Sequence, residues 1–129
     1  MVVDDDPAVL GALTFALEAE GFGVAPYRSG SEVLAEPRLP QSGCMVIDFK
    51  LPDMDGLSLL TSLRGRGVEL PAILITSHPS PRLRKNAAAA HTPIIEKPLL
   101  GDALLDAIHN ALTEVKPARY DHVVPAETA

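Results

Sequence analysis

At 129 residues the chain has room for one domain with a substantial core, and 47% hydrophobic against 22% charged residues is the balance of a folded protein. A formal net charge of −6, with no cluster of Lys or Arg able to neutralise phosphates, argues against a nucleic-acid surface. One cysteine excludes an internal disulfide, and no apolar run is long enough to span a bilayer, so a soluble cytoplasmic protein is expected.

Met1-Val2-Val3 reads as a very short strand, followed at once by Asp4-Asp5-Asp6. Pro7 suits the first position of a helix with Asp6 as its N-cap, and Leu10, Leu13 and Leu17 recur at helical spacing until Gly21 stops it. Phe22 to Tyr27 predicts a second strand, at an edge because Pro26 cannot donate to a ladder. Ser29-Gly-Ser-Glu32 has the capping-box spacing and opens a short helix through Val33 and Leu34, ended by Pro37. Cys44-Met45-Val46-Ile47 is a continuous apolar run, the mark of a central parallel strand covered on both faces. Inside that run, Cys44 is expected to be a buried, inert thiol.

Asp48 ends the run, and a turn-rich loop from Leu51 to Gly56 leads to a helix with Leu57, Leu60 and Leu63 on one face, closing at Gly65 and Gly67. Leu70 to Ile75 predicts a fourth strand ending at Thr76-Ser77, and Arg82 to Ala90 a helix, favoured by four consecutive alanines. Pro93 to Glu96 makes a fifth strand with Lys97-Pro98 at its carboxyl end. Leu104, Leu105, Ile108 and Leu112 form the apolar stripe of a last helix. From Lys116 onward there is no periodicity. The expected organisation is therefore one domain over residues 1–115 and a tail or linker over 116–129.

Strict alternation of five strands and five helices implies right-handed crossovers and a parallel sheet with helices on both faces. Ligands of such sheets bind beyond the carboxyl ends of the strands. The residues there are Asp4, Asp5 and Asp6 after the first strand, Asp48 after the third, Thr76 and Ser77 after the fourth, and Lys97 after the fifth. Close carboxylates repel one another unless a cation intervenes. Hard cations such as Mg²⁺ take oxygen ligands of this kind together with water and phosphate. A Lys and a hydroxyl opposite them supply a charge and a donor for an anion. The set describes a phosphoryl-transfer site.

The segments VVDDDP, VIDFKLPDMDG, ILITS and EKP, in this order and at nearly these spacings, resemble the receiver domain of two-component response regulators. Nitrogen-fixation-type receivers are the most similar in pattern, and the resemblance reaches to about Thr113. It implies a flavodoxin-like (βα)5 fold with strand order 2-1-3-4-5. It also implies Asp48 as phosphoacceptor, Asp5 as direct Mg²⁺ ligand, Asp4 as a carboxylate acting through water, and the backbone carbonyl of Lys50 as a further ligand. Thr76 would be the hydroxyl that swings towards the phosphoryl group and Lys97 its pairing cation, with a cis Lys97-Pro98 bond. The implied partner is a sensor histidine kinase or phosphotransfer protein. A homodimer is compatible with the family, and no membrane or nucleic-acid contact is implied for this chain. The implied function is a phosphorylation-driven switch with only weak self-catalysed phosphorylation and dephosphorylation.

Three features depart from the family pattern. Ile94 stands three residues before Lys97, where an aromatic is usual and rotates on activation. Thr76 and Lys97 stand about one residue closer than is usual, and Pro79 and Pro81 between them predict a short or displaced fourth helix. The chain also begins almost on its first strand, from which truncation or a stunted strand is expected. The phosphorylation rim is thus expected to be intact and the output face altered.

Competing readings have weaker support. The chain could be a stand-alone receiver or the N-terminal receiver of a larger DNA-binding transcription regulator. Asp53-Met-Asp55-Gly56 mimics the signature of aspartate-nucleophile phosphohydrolases, but Asp53 does not directly follow an apolar strand. A flavodoxin-like FMN binder needs a Ser/Thr-rich loop where this chain has three aspartates. Lys50 and His78 are expected to be solvated, and His91 and His109 lie outside the constellation, with no two histidines at metal-ligand spacing.

Overall fold

The computed structural model describes residues 1–99 and 102–113; the expected tail over 116–129 lies outside the described residues. The elements are β1 (Val2–Val3), α1 (Pro7–Ala19), β2 (Pro26–Tyr27), α2 (Gly30–Ala35), β3 (Met45–Asp48), α3 (Gly56–Gly65), β4 (Ala72–Thr76), α4 (Pro81–Ala89) and β5 (Ile94–Glu96). Helical backbone over residues 103–113 forms α5. All strand pairs are parallel, in the order β2-β1-β3-β4-β5. That is the flavodoxin-like order.

Apolar side chains on β3 and β4 alternate between two cores, which is why these strands read as unbroken apolar runs. Met45, Ile47, Ala72 and Leu74 pack with Val33 of α2, Leu59, Leu60 and Leu63 of α3, and Leu83 and Ala87 of α4. Val46, Ile73 and Ile75 pack on the opposite face with Leu10, Leu13 and Leu17 of α1 and with Leu104 and Ile108 of α5. Burying such side chains stabilises the fold by about 1.5–3 kcal/mol each, so the two helix layers lock the sheet between them.

Helix starts follow the local chemistry. Asp6 caps α1, accepting from the amides of Ala8 (2.9 Å) and Val9 (3.5 Å), with Pro7 in the first turn. Ser29 caps α2 through the Glu32 amide at 3.1 Å, and Glu32 reaches back to the Arg28 amide at 2.7 Å, one residue beyond the usual capping-box partner. Asp55 caps α3 through the Ser58 amide at 2.7 Å.

Some boundaries differ from expectation. β2 holds only Pro26 and Tyr27, not Phe22 to Tyr27. β1 offers it just two residues, paired Val2 with Pro26 and Val3 with Tyr27. Phe22 instead closes the end of α1, donating to the Leu17 carbonyl at 3.0 Å, and packs against the α1–α5 core. β4 runs from Ala72 to Thr76 and β5 from Ile94, because Pro71 and Pro93 lack an N–H and enter the ladders only as acceptors, from Met45 and Leu74. Asp48 is the last residue of β3, one position earlier than expected relative to the strand end. α4 has nine residues. Pro81 lies in its first turn and Ser80 caps it through Leu83 at 3.0 Å, so the proline here starts a helix instead of breaking one.

Candidate functional site

Register alone brings the candidate residues to one rim. Val3 pairs with Ile47, so Asp4 and Asp48 each stand one step beyond that pair on adjacent strands. Asp48 pairs with Ile75, putting Thr76 one step further out, and Thr76 pairs with Glu96, putting Lys97 one step beyond again. The Lys97 amide donates to the Thr76 carbonyl at 2.8 Å, and the Phe49 amide to the Ile75 carbonyl at 2.8 Å, which pins the ends of β3, β4 and β5 together.

At the centre, Lys97 Nζ donates to Asp48 Oδ2 at 3.0 Å and lies 3.6 Å from Asp4 Oδ2. Asp48 Oδ1 accepts from the Lys50 amide at 3.3 Å, and Asp4 Oδ1 from the Asp6 amide at 3.0 Å. Asp4 and Asp48 are 1% and 5% exposed, whereas Asp5 is open to solvent. Burial pushes the Asp48 carboxyl above the usual range and the Asp4 charge adds to this, against the lowering effect of Lys97 and the Lys50 amide. Burial by itself would lower Lys97, but its hydrogen bond and charge contacts with Asp48 and Asp4 prevail and hold the ammonium above its usual value.

One ammonium pairs with two carboxylates while Asp5 adds a third beside them, so the cluster keeps an excess of negative charge. One oxygen each of Asp4, Asp5 and Asp48 lie within 4.8 Å of one another. Asp4 Oδ2 is buried with no hydrogen-bond partner. Three clustered carboxylates, one of them with an orphaned buried oxygen, make a site a hard divalent cation satisfies, so the residues present fit Mg²⁺.

The segment after Asp48 is closed on itself. Gly56 donates to the Phe49 carbonyl at 2.7 Å, and Lys50 bridges antiparallel to Asp55. A Cβ on Gly56 would come within 2.5 Å of the Asp48 carbonyl oxygen and 2.9 Å of Ile47 Cγ2, so only glycine fits there. The Lys97-Pro98 bond is cis, as the resemblance implied. Ile94 is half-buried against the core under α2, α3 and α4.

Sequence reasoning brought together Asp4, Asp5, Asp48 and Lys97, and placed Thr76 and Lys50 beside them. It missed Asp53, which is exposed and accepts hydrogen bonds from the start of α2. With Asp53 and Asp55 both engaged at helix starts, the DMDG segment has no nucleophile placement. It also missed the ion pair between Arg84 of α4 and Glu96 of β5, twelve residues apart with no local signal.

Two buried carboxylates and one ammonium thus meet at the carboxyl edge of a doubly wound sheet, and known proteins share this fold. The response regulator receiver domain family matches residues 1–109. The chain is 32% identical over 130 residues to the transcriptional regulatory protein FixJ of Bradyrhizobium diazoefficiens, covering 99% of this chain and 63% of that protein. It is 33% identical over 112 residues to the response regulator protein TodT of Pseudomonas putida, covering 86% and 49%. A CheY-like receiver domain protein from Methanospirillum hungatei superposes with a TM-score of 0.81 at 30% identity, covering 91% of this chain and 94% of that one.

The chain belongs to the response regulator receiver family and is FixJ-like within it. Domains of this family are phosphoacceptor signalling modules that work with histidine kinases or phosphotransfer proteins and bind Mg²⁺ through acidic residues. The chain spans about half to two thirds of the length of the curated relatives it matches. Among the described residues no helix is long and apolar enough to cross a membrane.

Proposed function

We propose that Asp48 is the residue phosphorylated, that Asp4, Asp5, Asp48 and the backbone carbonyl of Lys50 hold Mg²⁺, and that Thr76 and Lys97 respond to the phosphoryl group. The observation that carries this reading is the buried pair of carboxylates, Asp4 and Asp48, sharing one ammonium while Asp4 Oδ2 lacks a hydrogen-bond partner. In the reaction, an Asp48 carboxylate oxygen attacks the phosphorus of a phosphohistidine on the donor protein. The phosphorus–nitrogen bond breaks, its electron pair leaves with the imidazole, and an aspartyl phosphate forms on Asp48. When bound, Mg²⁺ would supply charge neutralisation for the phosphoryl oxygens.

Lys97 holds the carboxylate in place before transfer and offers its ammonium to the phosphoryl oxygens afterwards. Thr76, at the adjoining strand end, supplies a hydroxyl donor to the same group. The new dianion thereby biases the β4 and β5 ends, to which α4 is tied by Arg84 and Glu96. Self-catalysed phosphorylation and dephosphorylation are weak in this reading, and the protein acts as a switch.

The donor's docking surface is proposed on α1. This helix starts at the acidic rim, and its outer side carries Ala8, Gly11, Ala12, Phe15 and Ala16, all exposed. Phe15 is 78% exposed, the one large exposed hydrophobic among the described residues.

Incubation with acetyl phosphate, or with beryllofluoride, and Mg²⁺ tests the assignment. The wild type should be modified and Asp48→Asn should not. A modified Asp48→Asn protein would move the acceptor elsewhere. A second reading, as the receiver of a longer transcription regulator, rests on the FixJ match, of which this chain spans 63%. The domain content of the full-length gene product decides it.

A further inference from the structure

We propose that Asp53 is a positioning residue for the phosphorylation rim, mooring the segment that follows Asp48 to the first turn of α2. The inference rests on the assignment of Asp48 and Mg²⁺ above. The Asp53 carboxylate accepts from the Gly30 amide at 3.1 Å and the Ser31 amide at 2.7 Å, and also from the Ser31 hydroxyl. Three donors on one carboxylate hold its pKa below the usual range, the Ser31 hydroxyl contributing most. Asp53 is therefore a fixed anion at neutral pH, although it sits on the surface.

The contact is long-range in sequence, spanning 22 and 23 residues, and it is reinforced. Met54 lies so close to Gly30 that a Cβ there would be 2.5 Å from its sulfur. Neither group is needed simply to begin α2, which Ser29 and Glu32 already cap. What Asp53 adds is a tie at the tip of the loop. At the base of the same loop, the Lys50 amide donates to Asp48 Oδ1, and Lys50 bridges to Asp55. The tip, Asp53, is three residues from Lys50 in a closed segment: the bridge and the Phe49–Gly56 hydrogen bond leave little slack between them. Holding the tip on α2 therefore fixes the direction of Lys50, and with it the orientation of the acceptor carboxylate. Proteins commonly hold reacting groups through such supporting contacts.

The test compares wild type, Asp53→Ala, Asp53→Asn and Ser29→Ala in the full chain, with folding checked by circular dichroism. Amide resonances of Lys50 and Ser31 are followed without metal and through a Mg²⁺ titration. Without metal, Asp53→Ala should lose hydrogen-exchange protection at Lys50, Asp53→Asn should recover part of it, and Ser29→Ala should leave it unchanged. In the titration, Asp53→Ala should raise the Mg²⁺ dissociation constant by roughly fivefold, less than loss of a group hydrogen-bonded to a ligand itself. Unchanged Lys50 protection in Asp53→Ala would overturn the proposal, as would an equal loss in Ser29→Ala, which would reduce Asp53 to a helix cap. A wild type whose Asp4, Asp5 and Asp48 signals ignore Mg²⁺ would refute the metal assignment, while the metal-free exchange data would still decide the role of Asp53.

Discussion

Lys97 and Asp48 are joined by a 3.0 Å hydrogen bond between side chains 49 residues apart, and the same ammonium lies 3.6 Å from Asp4. One cation thus restrains two buried carboxylates. Lys97→Ala should leave both without a counter-charge and lower stability in metal-free buffer by about 1–2 kcal/mol, less than for a fully buried pair because Lys97 is partly solvated. Lys97→Arg should restore charge without restoring response, since a planar guanidinium does not replace a compact ammonium. Urea unfolding and beryllofluoride binding measure the two effects. Equal stability of Lys97→Ala and wild type would contradict the shared restraint.

Mg²⁺ should raise the melting temperature. Binding to the folded state alone adds about 1.4 kcal/mol at a tenfold excess over the dissociation constant, enough to move the midpoint by several degrees. Asp5→Asn should diminish the shift. A melting curve indifferent to Mg²⁺ would remove the cation site.

Stability should depend on pH in an unusual sense. The folded-state pKa of Asp48 lies above its unfolded value, burial being the main cause. The folded chain then holds the proton more tightly, so this group's contribution falls as pH rises from the unfolded to the folded pKa, the reverse of a paired surface carboxylate. Metal-free urea midpoints measured from about pH 4 to about pH 7 should show a fall that Asp48→Asn abolishes. An identical profile in the variant would mean that Asp48 is not the strained carboxylate.

Cys44 should be nearly inert. Burial pushes its thiol from 9.0 to about 11, which leaves a hundredfold less thiolate at mildly alkaline pH. Alkylation by iodoacetamide in the folded chain should be about a hundredfold slower than in urea on this basis. Equal rates would show the thiol to be open.

Phe15→Asp should slow transfer from a phosphorylated kinase while leaving acetyl phosphate chemistry unchanged, because the residue is exposed on α1 and is not a member of the carboxylate–ammonium cluster. Parallel losses with both donors would relocate the docking surface.

Much of this was legible in the chain because parallel strands convert order into position. The apolar runs around Val46 and Leu74 declared sheet interior, since each strand is covered on both faces, and the polar residue ending each run declared the rim. Strand order came from the family resemblance, not from periodicity. Two things were hidden. The length of β2 is set by the two residues β1 can offer it, a property of the partner and not of Phe22 to Ala25. Asp53 finds its donors on a helix more than twenty residues upstream, and nothing in its own neighbourhood announces them.

Gly56 leaves a last consequence. A Cβ there would press on the Asp48 carbonyl oxygen, Ile47 and Leu74 together, so the start of α3 packs directly on the end of the strand that carries Asp48. A saturation library at that codon should therefore return glycine alone, and its failures should register as lost soluble yield before any defect in signalling can be scored.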